Sequence, residues 1–419
     1  MNSKERVQVS LDHRQPDRLP IDFGGQVCSM MNATCVTALR EYYGLKKKPV
    51  KIWDVSTMTS EIDEDLRDAL GVDCEPFPTY ELAFGLKNTD NWKSWQYRGI
   101  EVLVPEDFQV SNDGKGGYYI YPQGDTTVPP SGHLPANGYY FDDIVRPTLF
   151  DEDHMDYEDN LEEYEPISEE SLEFLKREVD RHRNTDRAVV MLPGGSALGD
   201  AANIPGNSLK HPKGIRSIPD WLAAPLLYPE YVHDVYSHQV DRMIENWTNI
   251  HEIVGDVVDV AYVCGVDFGT QISQMCSLEV FDEFYLPYYR KMNDWIHEHT
   301  SWKTLKHTCG AIYPFFPKLI EAGFDAVNPV QCSAKGMDPR RLKEEFGKDI
   351  TFWGGGVDTQ KVLPFGTPEE VRKQVLERCE IFSDQGGFIF NSIHIVQCNT
   401  PVENIVAMIN AVHEFNGIH

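Results

Sequence analysis

Short apolar runs alternate with longer amphipathic segments in the second half of the chain. The runs, rich in β-branched and aromatic residues, occupy residues 187–193, 257–263, 304–308, 325–330, 349–353 and 387–391. Strands separated by helical patterns indicate βαβ units and a parallel sheet. An early strand at 19–23, and one before 187 whose position the pattern leaves open, bring the count to about eight units. We therefore predict an α/β protein with a (β/α)8 TIM barrel.

Two predicted helices begin at recognisable end signals. Thr367 is followed by Pro368 and two acidic residues, an arrangement in which threonine is the N-cap and proline takes the first helical position. Thr400 and Pro401 precede an amphipathic segment in the same way. The sequence therefore predicts helices that start after Thr367 and after Thr400.

Residues 86–165 do not follow the alternation, because they are rich in glycine, proline, tyrosine and aspartate. This composition is typical of turns and predicts an antiparallel insertion with hairpins. We expect a single barrel over residues 1–419 with an inserted, partly antiparallel subdomain at 86–185, in its N-terminal half. Within it, residues 151–165 contain nine acidic side chains. They predict a solvated loop or, as the alternative, a docking surface for a partner protein.

The charge of the chain excludes two classes of partner. The sequence has 38 lysines and arginines against 66 aspartates and glutamates, a formal net charge of −28. Such a chain repels phosphate backbones and anionic lipids, so we expect no nucleic-acid binding and no polybasic membrane attachment. The longest apolar runs are far shorter than the ~18–20 residues that span a bilayer, and the charged N-terminus does not resemble a secretory signal. Nine scattered cysteines then predict reduced thiols in a cytoplasmic protein.

Polar residues follow the predicted strands where a parallel barrel carries its functional groups, at the carboxyl ends. In strand order they are Asp22, Asp267, His307 with Cys309, Asn328 with Gln331, Asp358, and His394 with Cys398. Because all these strand ends meet at one mouth of a barrel, the sequence predicts a polar site there.

His307 and Cys309 are the most specific pair in this set. Residues two apart on an extended strand point to the same face, which places an imidazole and a thiol together at the barrel mouth. Zinc favours nitrogen and sulfur ligands. His394 or Cys398, at the end of the last strand, would supply a third ligand and leave a fourth position open for substrate or water. On spacing alone, the alternative is a packed polar strand end.

Several motifs of the chain resemble those of one protein family. They are Pro16-Asp-Arg-Leu-Pro, Ile62-Asp-Glu-Asp-Leu-Arg-Asp-Ala-Leu-Gly, Asp267-Phe-Gly-Thr-Gln, His307-Thr-Cys-Gly, Asn328-Pro-Val-Gln, Thr351-Phe-Trp-Gly-Gly-Gly-Val-Asp-Thr-Gln and Asn399-Thr-Pro-Val-Glu-Asn-Ile. With them the chain resembles the uroporphyrinogen decarboxylase superfamily, which includes uroporphyrinogen decarboxylases and zinc- and corrinoid-dependent methyltransferases. The resemblance implies the same (β/α)8 barrel, and residues 86–185 match it poorly.

The resemblance is closest to the methyltransferase branch. Decarboxylases carry an arginine-rich stretch after the first strand that binds the carboxylates of the porphyrinogen, whereas residues 21–31 of this chain contain no arginine. A polyanionic substrate would meet an aspartate there instead of a cation. The methyltransferases bind zinc through a His-x-Cys pair, matched by His307 and Cys309, and a third ligand near the end of the last strand. That position falls on His394 instead of the usual cysteine, with Cys398 as the competing candidate.

The resemblance implies methyl transfer between a small methylated substrate and the cobalt of a corrinoid. The corrinoid (cobalamin) would belong to a separate protein, because the chain contains no Asp-x-His-x-x-Gly cobalamin motif. We favour O-demethylation of a methoxylated aromatic. The alternatives are a methylcobamide:thiol methyltransferase, a uroporphyrinogen decarboxylase and a non-catalytic barrel that binds a tetrapyrrole or corrinoid. A homodimer is expected by family analogy alone.

Two further sets of residues complete the predicted site. The candidate catalytic residues, acting as a general base or through a hydrogen bond to substrate, are Asp267, Gln331 and Asp358. Each has an alternative role in orienting its neighbours. The candidate substrate-binding residues are Asp22, Phe23, Phe268, Asn328 and Trp353, of which the aromatic ones suit an aromatic pocket.

Overall fold

A parallel β-sheet forms the centre of the computed structural model, which describes residues 1–146, 148 and 152–418. Asp151, the first residue of the acid-rich segment, lies outside the described residues. In chain order the described strands are β1 (Met31–Asn32), β2 (Val50–Asp54), β3 (Thr59–Ser60), β4 (Cys74–Phe77), β5 (Trp92–Tyr97), β6 (Ile100–Pro105), β7 (Val110–Asn112), β8 (Tyr118–Ile120), β9 (Gly132–Leu134), β10 (Asp142–Asp143), β11 (Ala188–Met191), β12 (Val260–Cys264), β13 (Lys303–His307), β14 (Ala326–Asn328), β15 (Thr351–Trp353) and β16 (Phe388–Ile389). The described α-helices are α1 (Ser3–Leu11), α2 (Ala33–Tyr42), α3 (Glu64–Leu70), α4 (Glu169–His182), α5 (Ile218–Leu227), α6 (Pro229–Val254), α7 (Leu278–Phe284), α8 (Leu286–His299), α9 (Phe316–Glu321), α10 (Pro339–Phe346), α11 (Val362–Phe365), α12 (Pro368–Phe382) and α13 (Val402–Phe415).

The central sheet has the spatial order β4, β11, β12, β13, β14, β15, β16. Each neighbouring pair in it is parallel. Each of the six apolar runs predicted from the sequence overlaps one of the strands β11 to β16, so those six predictions are confirmed; β12 ends one residue later than its run, and β13 begins one residue earlier. The strand that the pattern left open is β4. The chain is therefore an α/β protein with a parallel, TIM-barrel-like sheet.

Residues 19–23 were predicted to form a strand. In the structure they form only a short segment between the two edge strands, β4 and β16. Only Ile21 forms a bridge, parallel to Phe390 just after β16. On its other side the carbonyl of Ile21 accepts a 2.7 Å hydrogen bond from the backbone N–H of Asp73, just before β4. A longer strand does not form because Pro20 has no N–H to donate and Gly24, at φ 88°, turns the chain. This short segment nevertheless links both edges of the sheet.

A buried carboxylate holds this closing segment in place. Asp73 is fully buried and accepts hydrogen bonds of 2.7 Å from Arg6 and of 2.8 Å from both terminal nitrogens of Arg18. It also accepts a 2.9 Å bond from the backbone N–H of Ile21. Charge-assisted bonds of this kind are about twice as strong as neutral ones. Asp73 therefore ties the N-terminal helix, the segment at Ile21 and the start of β4 together.

Alternate residues of the central strands point to the inner face of the sheet and form a buried cluster there. Leu305 of β13 and Tyr262 of β12 lie in one buried apolar cluster with Val7 and Leu11 of α1, which covers the amino-terminal end. Because side chains alternate along a strand, His307 points to the same side as Leu305. The imidazole is thereby placed at the carboxyl-terminal mouth, opposite α1.

Two further sheets cover part of this mouth region. The first is mixed, with the order β1, β3, β2, β6, β5, and the second is antiparallel, with the order β10, β9, β8, β7. Strands β5 to β10 thus contain the hairpins expected for residues 86–165, but the mixed sheet also takes in β1 to β3, which precede residue 86. The subdomain boundary at 86–185 stays a prediction.

The helix ends show why local signals predicted α12 well. Thr367 caps α12, and its hydroxyl accepts from the N–H of Glu370 while the Glu370 carboxylate accepts from the N–H of Thr367. For α13 the N-cap is Pro401 and not Thr400, so the second predicted start is displaced by one residue. No helix in residues 1–146 or 152–418 combines the length and the apolar character needed to cross a membrane.

Replacing Asp73 with asparagine should destabilise the fold strongly. The change leaves Arg6, which is 6% exposed, without its buried partner, and such a loss costs about 3–5 kcal/mol. We expect a fall of that order in the free energy of unfolding, measured by urea denaturation. Asp17→Asn is the matched control, because Asp17 also contacts Arg6 but its side chain is 41% exposed, and it should cost under ~1 kcal/mol. Equal effects of the two variants would contradict the anchoring role of Asp73.

Candidate metal centre

His307 lies between two thiols at the carboxyl end of β13. Its Nδ1 is 3.1 Å from the Sγ of Cys28, and its Nε2 is 3.4 Å from the Sγ of Cys309. The imidazole is 7% exposed. Of these thiols, Cys309 was predicted as a ligand and Cys28 was not. Cys28 comes soon after the predicted first strand at 19–23, as Cys309 comes soon after β13, so its position along the chain was the signal that could have indicated it.

Cys28 is held in a short 3-10 turn, Val27–Ser29, that follows the closing segment. The side chain of Gln26 caps this turn, and its Oε1 accepts a 2.7 Å hydrogen bond from the N–H of Cys28. The hydroxyl of Tyr262, from β12, lies 3.9 Å from the Cys28 sulfur. Two elements that are far apart in the sequence thus fix the position of this thiol.

The potential ligands form two groups that share His307. Cys28, His307 and His394 form one, and Asp267, His307 and Cys309 form the other. In each group the potential ligand atoms lie within 4.8 Å of one another. The predicted ligands Cys309 and His394 therefore fall in different groups.

Of the two competing third ligands, the structure brings His394 to the cluster. Its ring centroid is 5.5 Å from that of His307. Cys398 is in neither of the ligand groups found among the described residues. Its carbonyl accepts a 3.3 Å hydrogen bond from the hydroxyl of Thr34, on α2.

The neighbours of His307 indicate which nitrogen is free for a metal. The side-chain N–H of Asn328 donates to the carbonyl of Trp353 at 2.9 Å, so its Oδ1 faces His307. This oxygen is 3.1 Å from Nδ1 and accepts the Nδ1–H. The lone pair is then on Nε2, the nitrogen beside Cys309, and a histidine ligand usually donates its other N–H in this way. The predicted substrate residue Asn328 thus acts here as an orienting group.

Asp22 and Trp353 extend this buried network. The indole N–H of Trp353 donates to Asp22 Oδ2 at 2.8 Å, and the N–H of Gly25 donates to Asp22 Oδ1 at 2.7 Å. Burial raises the pKa of Asp22 to about 6, and these hydrogen bonds oppose the shift. Both side chains are fully buried. They position the residues that surround the cluster.

The three predicted catalytic residues have different surroundings. Asp267 Oδ1 is 3.5 Å from His307 Nε2 and accepts a 2.6 Å hydrogen bond from the N–H of Cys309. Gln331 accepts a 2.7 Å bond from the N–H of Gly310, which fixes the same turn. Asp358 instead accepts from the N–H groups of Gln360 and Lys361, at 2.8 and 3.3 Å, within its own loop. Of the three, Asp267 is thus the residue that contacts His307.

Phe23 and Phe268 lie in packed aromatic contacts. Phe23 packs edge-on against Phe390, with ring centroids 6.1 Å apart. Phe268 packs against Phe281 and Tyr285, with both centroid distances 4.9 Å. Their exposed fractions are 0% and 1%. Both rings belong to the buried apolar core.

Burial keeps the thiols and imidazoles of the cluster uncharged. It raises the pKa of the Cys28 and Cys309 thiols far above the usual range, and the nearby carboxylate of Asp267 raises both further. It also lowers the pKa of His307, and that of His394 to about 4. At neutral pH the site therefore offers neutral imidazoles and thiols that ionise only beside a cation. Nitrogen and sulfur donors in such a pocket are compatible with zinc.

Three comparisons with known proteins bear on this site. The family model "Uroporphyrinogen decarboxylase (URO-D)" matches residues 213–415. Over 140 residues the chain is 27% identical to uroporphyrinogen decarboxylase from Pseudoalteromonas translucida (strain TAC 125), a match that spans 32% of this chain and 37% of that protein. The resemblance to the uroporphyrinogen decarboxylase superfamily is confirmed. A solved structure described as a methyltransferase from Methanosarcina mazei is similar in fold, with a TM-score of 0.53, 14% identity and 99% coverage of both chains.

The part of the chain that the family model matches contains only some of the residues of the candidate metal centre. His307, Cys309 and His394 fall within residues 213–415, whereas Cys28 lies outside them. Cys28 therefore joins the cluster through the fold of this chain and not through the part that the family model covers.

His307→Ala should abolish zinc binding, because His307 belongs to both ligand groups. Cys309→Ala should lower the affinity at least ~100-fold, whereas Cys28→Ala should lower it less, because Nε2 faces Cys309. Cys398→Ala and Cys276→Ala are matched controls and should keep one zinc per chain. Elemental analysis after dialysis against a weak chelator measures the outcome. Loss of zinc in Cys28→Ala with retention in Cys309→Ala would instead assign the ion to the Cys28 side.

The pH dependence of the zinc affinity should show how many thiolates bind the ion. Each thiol must lose a proton to bind the ion, while imidazoles with lowered pKa are already neutral. With one thiolate ligand the affinity should rise about tenfold per pH unit between about pH 6 and pH 8. Competition with a chelator of known proton affinity measures this slope. A slope near a hundredfold per unit would mean that both thiols bind, and a flat profile would exclude thiolate ligation.

Proposed function

We propose that this protein is a zinc-dependent methyltransferase that moves a methyl group between a small methylated substrate and the cobalt of a separate corrinoid protein. The observation that carries the proposal is the position of His307 between Cys28 and Cys309, at the carboxyl-terminal mouth of a parallel sheet. The fold likeness to the methyltransferase from Methanosarcina mazei supports it. We favour O-demethylation of a methoxylated aromatic as the reaction.

The residues around His307 would hold the ion and keep it away from bulk water. His307 and Cys309 would be ligands, and Cys28, His394 and Asp267 are the other donors within reach. When bound, zinc supplies a Lewis acid that stabilises negative charge developing on a substrate oxygen or sulfur. Asn328 fixes the imidazole through Nδ1 and leaves Nε2 unprotonated.

The proposed transfer balances without an external oxidant or reductant. The bond between the methyl carbon and the ether oxygen breaks, and its electron pair stays on oxygen. The cob(I)alamin of the partner protein donates an electron pair to the methyl carbon and becomes methylcob(III)alamin. The departing oxygen takes up one proton. Asp267, with a side chain that is 37% exposed beside His307, is the carboxyl group placed to pass that proton from solvent.

The decarboxylase alternative has support from the family model and from the curated relative. It requires cations for a polycarboxylate, and residues 21–31 contain no arginine. Asp22, the aspartate at that position, is fully buried against Trp353 and Gly25. The methyltransferase proposal therefore agrees better with the residues at this mouth.

The zinc-loaded protein should form methylcobalamin when free cob(I)alamin replaces the corrinoid partner and 2-methoxyphenol is the donor. His307→Ala should slow the reaction at least ~100-fold, because loss of the Lewis acid removes several kcal/mol of transition-state stabilisation. Absorbance spectroscopy follows the cobalt, and chromatography follows the demethylated phenol.

Three parallel assays separate the alternatives. Methyl transfer from methylcobalamin to a thiol, without ether cleavage, would reassign the protein to the thiol reaction. Release of carbon dioxide from uroporphyrinogen would reassign it to decarboxylation. Tight cobalamin binding by metal-free protein, with no turnover of any substrate, would support a binding barrel.

A further inference from the structure

A segment that includes β10, residues 139–146, crosses part of the barrel mouth. At one end, the side-chain N–H of Gln397 donates a hydrogen bond to the hydroxyl of Tyr140. Gln397 lies in the loop that follows β16. At the other end, the side-chain N–H of Asn207, in the loop that follows β11, donates to Asp143 at 2.9 Å. The segment therefore spans the mouth from the β16 loop to the β11 loop.

The closing segment and the Cys28 turn lie on this side of the mouth. In the central sheet β16 and β4 are the edge strands, and β11 is the neighbour of β4. Ile21 bridges Phe390 just after β16 and accepts a hydrogen bond from Asp73 just before β4. A segment that runs from the β16 loop to the β11 loop thus passes the closing segment, which leads to Cys28.

The side chain of Tyr140 is close to the ligand cluster. Burial raises the pKa of its phenol far above the usual range, so the hydroxyl keeps its proton at neutral pH. Four neighbouring groups raise this pKa further when they are ionised, and they are Cys28, Asp54, Cys309 and Cys398. A charge shifts the pKa of another group strongly only at close range. Because Cys28 and Cys309 are both potential zinc ligands, the phenol lies near the atoms that would bind the ion.

The proton of the Tyr140 hydroxyl is available to a bound molecule. A tyrosine hydroxyl both accepts and donates hydrogen bonds. Here the oxygen accepts from the amide of Gln397. In the part of the chain that the structure describes, the O–H itself has no hydrogen-bond acceptor. The donor is therefore unused at the mouth.

The backbone next to Tyr140 is fixed by the following residue. The N–H of Phe141 donates to the carbonyl of Ser56 at 2.8 Å. The Phe141 ring is 3% exposed and packs edge-on against Phe84, with ring centroids 6.0 Å apart. A donor that is held in place in this way needs little reorganisation when charge develops beside it.

The mouth is open to solvent beside this donor. The side chain of Asp267 is 37% exposed, and Cys309, His394 and Tyr140 are all partly exposed. A small molecule that enters past Asp267 thus reaches both the potential ligands and the phenol.

We propose that Tyr140 is a catalytic residue of this site, which donates a hydrogen bond to the substrate atom that leaves with the electron pair. In the proposed reaction this atom is the ether oxygen. Negative charge grows on it as its bond to the methyl carbon breaks, so the hydrogen bond is stronger in the transition state than in the ground state. The proton stays on Tyr140, and the proton that the product takes up still comes through Asp267.

This inference rests on the proposed methyl transfer. It adds a residue from outside residues 213–415, the part that the family model matches. Tyr140 belongs instead to the turn-rich region that interrupts the alternation of strands and helices.

The first test is Tyr140→Phe, which removes one oxygen atom and should leave the fold and one zinc per chain intact. We expect kcat for 2-methoxyphenol with cob(I)alamin to fall about 100-fold, the effect of one lost donor, while KM changes less than about twofold. Tyr139→Phe is the matched control, because Tyr139 is the neighbouring tyrosine and is 36% exposed; it should keep the kcat of the wild type. An unchanged kcat in Tyr140→Phe would overturn the proposal.

A second variant separates catalysis from simple anchoring of the segment. Gln397→Leu removes the hydrogen bond that holds Tyr140 but keeps the phenol. If Tyr140 acts on the substrate, kcat should fall less than about tenfold in Gln397→Leu, because the segment keeps its other contacts. Equal losses in Gln397→Leu and Tyr140→Phe would mean that the phenol only fastens the segment, and the catalytic role would then be wrong.

A binding measurement tests the donor without turnover. 4-Nitrophenol changes its visible absorbance on ionisation, so it reports the charge on a bound phenolic oxygen. In the zinc-loaded full chain without cobalamin, bound 4-nitrophenol should ionise about one pH unit higher in Tyr140→Phe than in the wild type, because the hydrogen bond to its oxygen anion is lost. Tyr139→Phe should match the wild type. The same ionisation pH in all three proteins, or no binding to the wild type, would contradict the placement of the donor.

The two proposals fail in distinguishable ways. If the ionisation of 4-nitrophenol shifts as expected but no methylcobalamin forms in the wild type, the methyl-transfer proposal fails and the donor to a phenolic oxygen remains. If the wild type forms methylcobalamin and Tyr140→Phe alters neither kcat nor the ionisation of 4-nitrophenol, the role of Tyr140 fails and the methyl-transfer proposal remains.

Discussion

The ion pairs of Asp73 with Arg6 and Arg18 are the interaction on which the mouth of the barrel depends. They hold the segment at Ile21, which contributes a single bridge to one edge of the sheet. That segment leads within seven residues to Cys28. Removing one partner from a fully buried ion pair costs several kcal/mol of folding free energy. The ion pairs of Asp73 therefore restrict the position of the segment that leads to the Cys28 turn. The geometry of the proposed site is thus a consequence of how the barrel closes.

Burial then determines the chemistry of the cluster. Removed from water, the Cys28 and Cys309 thiols stay protonated and the imidazoles of His307 and His394 stay neutral. The thiols and imidazoles of such a site carry no charge until a cation enters, and the entering cation releases a proton from each thiol that binds it. The same exclusion of water strengthens electrostatic stabilisation of a departing oxygen. One physical cause, desolvation, therefore favours both ion binding and the proposed reaction.

The distribution of charge over the molecule agrees with a neutral substrate. The chain carries a formal charge of −28, and a 720 Å³ cleft lined by residues of β2, β4 and α4 has more carboxylates than lysines and arginines. A small cavity lined by Gln26, Val27 and Tyr262, among others, has no charged side chain in its walls. An excess of carboxylates of this kind repels polycarboxylates at long range.

The sequence by itself determined the strands β11 to β16 and the cap of α12, because these depend on local periodicity and on neighbours within four residues. It also placed His307 beside Cys309, since two residues on one strand need no tertiary information to share a face. Tertiary structure alone decided that Cys28 contacts His307, a pair separated by 279 positions. It likewise separated Cys309 from His394 and directed Phe268 into an aromatic cluster. Contacts of this kind depend on barrel closure and packing, and no local pattern encodes them.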